Sequence, residues 1–151
     1  MISPADIFCL AIIAGLMLLE AHRGIIPALI DFLGVLLGLV LTRWFYVSLS
    51  DQMRPSGSYM LLLGAAILIT AIISIMVSRR LRINVTEVEA AIAAGLGLCT
   101  AILISYAFFE WVTIRYGAGD LMVKNSVLHW AISEASGLRE IADFFRSLTG
   151  K

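Results

Sequence analysis

Four runs of apolar residues separated by short polar breaks make up most of this chain: Ile7 to Leu19, Ile25 to Leu49, Tyr59 to Val77 and Val88 to Val112. The last three meet the length of roughly 20 residues, at 1.5 Å per residue, that a helix needs to cross a hydrocarbon core of about 30 Å. The first is short by itself. Extended from Ser3 to Ala21 it becomes a full span with Asp6 near one surface and Glu20 near the other. The predicted fold class is all-α: an integral membrane four-helix bundle over residues 1–116.

The pattern changes at Gly117-Ala118-Gly119-Asp120, a helix breaker followed by an acidic N-cap. A helix from Leu121 to Glu134 would place Leu121, Leu128, Ile132 and Ala135 on one face. After Gly137, the segment Leu138 to Leu148 sets Leu138, Ile141, Ala142, Phe145 and Leu148 in a stripe opposite Arg139, Glu140, Asp143 and Arg146. Both are too short to span. Residues 117–151 are expected to form a C-terminal amphipathic helical tail lying on the membrane or docking on a partner, with Leu138, Ile141, Phe145 and Leu148 as the gripping residues.

Composition agrees with the pattern. Of the 151 residues, 60% are hydrophobic and 15% charged, whereas soluble domains carry roughly 25% charged residues. A water-soluble fold of this length has too little interior to hide so much apolar surface. A cleaved signal peptide is not expected, because no Lys or Arg precedes the first apolar run and Glu20, His22 and Arg23 follow it. Zero formal net charge and no basic cluster interleaved with aromatics argue against a nucleic-acid partner. Cys9 and Cys99 both fall inside predicted spans and read as small buried hydrophobes.

Loop charges and aromatics suggest a topology. Arg23, Arg79, Arg80 and Arg82 sit in the two connections that share one face, which the positive-inside rule assigns to the cytoplasm, leaving both termini outside. Arg54, Arg115 and Lys124 on the other face make the bias modest. Trp44, Tyr46, Tyr59, Tyr106, Trp111 and Tyr116 gather at the opposite interface, where amphipathic rings favour the headgroup region.

Small residues recur at spacings of four. Gly34 and Gly38 in helix 2, and Ala93, Gly97 and Ala101 in helix 4, permit close helix approach and suggest that helices 2 and 4 form a tight central pair. A shift of 59 residues aligns Arg23 with Arg82, Gly34 with Ala93 and Gly38 with Gly97, as two hairpins related by a pseudo-two-fold along the membrane normal would require.

Charges within or beside the spans are Asp6, Glu20, Asp31, Arg43, Glu89 and Glu110. Asp31 lies about two turns into helix 2; it either pairs with Arg23, eight residues back, or lines a polar face. Asp6, Arg23, Asp31 and Glu89 are the candidate intramembrane or interfacial charges.

An acidic residue opening helix 1, the pair Arg23-Gly24 seventeen residues later, and Gly34 and Gly38 in helix 2 resemble the colicin V production protein family, CvpA, of four-helix bacterial inner-membrane proteins. In helix 4 the family typically shows an Asp followed by small residues every four positions; here Glu89 precedes Ala93, Gly97 and Ala101. The resemblance covers roughly Asp6 to Trp111. It departs in Glu for Asp, Ala for the first Gly, and the lack of a basic residue after Glu89, which marks a divergent member. What it implies is a link to toxin export or envelope homeostasis in the bacterial inner membrane, without a defined biochemical activity.

Catalytic signatures are missing: the chain has no HExxH, GxSxG, P-loop or dinucleotide fingerprint, and its two histidines, His22 and His129, lie apart in a tight loop and in the tail. No catalytic, cofactor or metal residue is expected. Two function classes remain. One is a non-enzymatic scaffold or accessory subunit of a larger membrane assembly, alone or together with further copies of itself; the other is a transport or channel component using Asp31 or Glu89.

Overall fold

A computed structural model describes residues 4–50, 54–80, 85–117 and Ser126, and all regular structure among them is helical. Helix α1 runs Pro4–Arg23, α2 Ile25–Ser50, α3 Pro55–Arg80 and α4 Glu87–Tyr116. At 1.5 Å per residue they are about 30, 39, 39 and 45 Å long. Helices α1, α3 and α4 outrun their apolar runs by about a turn at one or both ends, whereas α2 exceeds its own by Ser50 alone.

Those ends have identifiable causes. Pro4 and Pro55 occupy first helical positions, where the missing N–H would have had no partner. The Arg54 carbonyl accepts from the Gly57 N–H at 2.9 Å and the Ser58 N–H at 3.1 Å, closing the first turn of α3. Gly24 alone separates α1 from α2, at φ +89°, with its N–H on the Glu20 carbonyl at 3.0 Å. A side chain is strained in that left-handed region, so glycine makes the one-residue reversal possible. Pro27 follows in the first turn of α2, where no N–H is required. Thr86 caps α4 and Gly117 ends it, its N–H returning to the Thr113 carbonyl at 2.9 Å.

Helices α2, α3 and α4 are each long and apolar enough to cross a membrane. Their outward positions carry Leu37, Leu68, Ile69, Met76, Val88 and other large apolar side chains, a surface that water would penalise and lipid would not. Helix α1 is of comparable length but has Asp6 in its first turn and His22 and Arg23 in its last.

Packing differs from the expected central pair. The extensive contacts are α1 against α4 and α2 against α3; α2 and α4 do meet, whereas α1 and α2, and α3 and α4, touch only slightly. The glycines explain the preference. A Cβ on Gly38 would stand 2.7 Å from the Ala66 Cβ, and one on Gly34 2.9 Å from the Thr70 Cβ, so both face α3 and not α4. Gly97 faces α1, where a Cβ would lie 2.9 Å from the Leu16 carbonyl oxygen. Ala93 and Ala101 are fully buried. Exchanging α1 with α3 and α2 with α4 converts one strong pair into the other, a relation compatible with two hairpins about a pseudo-two-fold.

Two further expectations are corrected. Cys99 is exposed on the outer face of α4, while Cys9 is buried beside Phe109. Tyr59 is only 1% exposed and is bonded inside the bundle, so it is no headgroup anchor. The tail helices, Leu138, Ile141, Phe145 and Leu148, lie outside the described residues.

Candidate functional site

Arg23 is the centre of a polar cluster at the loop end of the bundle. It occupies the last turn of α1, and because Gly24 reverses the chain at once, its side chain lies beside the first turns of α2. The guanidinium Nη1 donates to the Asp31 Oδ2 at 3.2 Å and stands 3.5 Å from the Glu20 Oε1. Asp31 is six residues into α2, about 9 Å below its start. From α3, Ser74 donates to the same Asp31 oxygen at 2.9 Å and lies 3.4 Å from the Pro27 carbonyl.

Glu20 is the least expected member. It is 1% exposed and neither of its carboxyl oxygens receives a hydrogen bond, so its approach to Arg23 is an ion pair by distance alone. Its stem crosses Gly97 of α4: a Cβ there would come within 3.2 Å of the Glu20 Cβ and Cγ. Gly97 therefore provides the room in which this carboxyl is buried. Two carboxyls share one guanidinium nitrogen in an enclosed setting, and burial of an uncompensated charge costs several kcal/mol.

The other end carries a second network. Tyr59 donates to the Glu110 Oε2 at 2.8 Å, and the Arg43 Nη1 lies 3.6 Å from the Glu110 Oε1, joining α3, α4 and α2. Beside it the Trp111 indole donates to the Ser56 carbonyl at 3.2 Å, and Arg115 stacks over Trp111. Near the start of α1, Asp6 is 2% exposed and accepts from the Ser126 hydroxyl at 2.5 Å, which ties the chain beyond α4 to the first helix.

The structure thus unites Arg23 and Asp31, as the spacing allows, and leaves Asp6 and Glu89 elsewhere. The Glu89 carboxylate accepts the Thr86 N–H at 2.9 Å, and its own N–H lies 3.4 Å from the Thr86 Oγ1. That reciprocal pair is a capping box, written in the sequence as Thr86-Glu87-Val88-Glu89. Beyond the expected residues, Glu20 joins the cluster beside Arg23 and Ser74 joins it at Asp31. Glu20 had a visible cue in its place three residues before Arg23; Ser74, on another helix 43 residues from Asp31, had none.

Helices α2 and α3 come into direct contact at Gly34 and Gly38, and α1 and α4 at Gly97. The Thr70 and Thr100 hydroxyls donate to carbonyls of their own helices, at Ala66 and Leu96. No group of three or more His, Cys, Asp or Glu among the described residues is arranged to hold a metal ion. No protein-family model, curated protein or solved structure matches this chain.

Proposed function

We propose that this protein is a non-enzymatic scaffold or accessory subunit of a larger membrane assembly in the bacterial inner membrane. The observation that supports this most is the close packing of the helices: small residues in the bundle bring them into contact, and Arg23 with Asp31 at one end and Tyr59 with Glu110 at the other join neighbouring helices. A bundle filled in this way is suited to presenting a fixed outer surface to lipid and to neighbouring helices. Both termini are placed outside the cytoplasm, from Arg23, Arg79, Arg80 and Arg82 in the two loops of one face. Membership in the colicin V production family, as a divergent branch, fits the residues that carry the resemblance. Arg23 holds the buried cluster, Gly24 makes the reversal, and Gly34, Gly38 and Gly97 are the closest helix contacts.

The test is gentle detergent extraction of the tagged protein followed by native mass spectrometry. A stoichiometric larger membrane partner is expected, and removal of residues 137–151 should release it. A homo-oligomer without companions would refute the accessory role.

A second reading, a transport component tied to toxin export or envelope homeostasis, is favoured by one observation: the enclosed Glu20, Arg23 and Asp31 cluster. Intramembrane ionisable groups commonly mark ion or proton paths. Asp31→Asn should then abolish flux in reconstituted vesicles while leaving assembly intact.

A further inference from the structure

We propose that Glu20 and Asp31 form a one-proton binding site inside the bundle, in which a single proton shared by the two carboxyls complements the single positive charge of Arg23. The inference stands on geometry and charge balance and does not depend on the scaffold reading. Both carboxyls approach the same nitrogen, Arg23 Nη1, at 3.5 and 3.2 Å. Asp31 is also an acceptor for Ser74, whereas Glu20 has no hydrogen-bond donor at either oxygen. The hydrogen-bonded carboxyl is suited to carry the negative charge and the bare one to carry the proton.

Among the described residues, neighbouring groups leave this balance alone. On α1 the charged neighbour is Arg23 itself, while His22 is exposed with its Nδ1 on the Leu18 carbonyl at 2.7 Å. On α2 it is Asp31. Helix α3 contributes the neutral Ser74, its Arg79 and Arg80 standing exposed in its last turn, and α4 presents Gly97, which has no side chain. Glu89 is engaged by its own cap. With both carboxyls ionised the set carries one surplus negative charge at depth; with one proton bound it is neutral. The step is simple protonation: a carboxylate oxygen takes a proton from a hydronium ion of the bulk solvent, forming one O–H bond as an O–H bond of the hydronium breaks and leaves water. Access is from the loop side, where the Arg23 side chain is 18% exposed.

Infrared difference spectroscopy of the full-length protein in lipid vesicles tests the site, because a protonated carboxyl has a C=O stretching band that a carboxylate lacks. The wild type near neutral pH is expected to show the band, with a downshift in heavy water. Glu20→Gln should remove it, and so should Asp31→Asn, since one remaining carboxyl is then balanced by Arg23. Arg23→Gln should raise it roughly twofold, because neither carboxyl then has a counter-charge. Asp6→Asn serves as a control and should leave it unchanged. Glu20→Gln keeps the shape of the protonated side chain, and retained helical circular dichroism confirms that the variants are folded. A wild type without the band overturns the proposal. So does a band that survives in Asp31→Asn but not in Glu20→Gln, which would make Glu20 an isolated acid and not half of a pair. A band that disappears from the wild type on adding sodium at constant pH overturns it as well, in favour of a cation site.

Discussion

Arg23 reaches across the one-residue turn at Gly24 to hold Asp31 at 3.2 Å, so the last turn of α1 and the second turn of α2 are fastened by charge and not by apolar contact. Removing the guanidinium leaves two carboxyls in an enclosed site. Arg23→Gln is expected to destabilise the bundle by about 3 kcal/mol or more. Glu20→Gln should cost far less, because the amide keeps both the shape and the neutrality of the protonated carboxyl. Thermal unfolding in detergent compares the two, and equal losses would contradict the assigned balance of charge.

Helix α2 meets α3 at Gly38, where a Cβ would be 2.7 Å from the Ala66 Cβ. Gly38→Ala should therefore cost on the order of 1–3 kcal/mol through overpacking. Ala66→Gly in the same chain should recover part of the loss. A double-mutant cycle by detergent unfolding checks it; strictly additive effects would place Gly38 against some other surface.

At the start of α4 the role of Glu89 separates cleanly from that of a path-lining charge. Thr86→Ala should cost about 1 kcal/mol, with Thr86→Ser nearly neutral. Glu89→Gln preserves an acceptor for the Thr86 N–H and should be tolerated in both stability and function. Loss of function in Glu89→Gln at unchanged stability would show that the charge itself is needed.

Tyr59 donates to Glu110 at 2.8 Å from a position 51 residues away. Tyr59→Phe leaves Glu110 with Arg43 at 3.6 Å and one donor fewer, a loss of roughly 1.5–3 kcal/mol for a hydrogen bond to a charged group. Trp111 lies beside this network and reports on it, so its fluorescence should shift in the variant.

The four helices were legible because hydropathy needs only local information, and the end of α4 because Gly117 breaks it within one turn; α3 starts at Pro55, four residues before the apolar run that marked it. Pairing was not legible. Small residues on α2 and α4 say that something comes close without saying what, and Gly34 and Gly38 would have served a contact with α4 as well as the one they make with α3. The Arg23 to Asp31 pair was readable because its spacing crosses a single tight turn. Glu20 stands three residues before Arg23, but its burial comes from the crossing of α1 over Gly97, and Tyr59 became a partner of Glu110 only through the closure of α3 on α4; neither crossing leaves a mark on the chain.

Helix α1 is joined to α2 by one residue yet packs chiefly on α4, which lies some sixty residues further along the chain. Synthesis therefore delivers the first helix long before the surface that receives it. Until α4 is in place, Cys9, Leu16 and the stem of Glu20 have no protein to rest against, and Asp6 waits longer still for Ser126. The helix made earliest of these four is the one whose packing is completed last, so any factor that shields an unfinished protein would find its longest-lived client surface on α1.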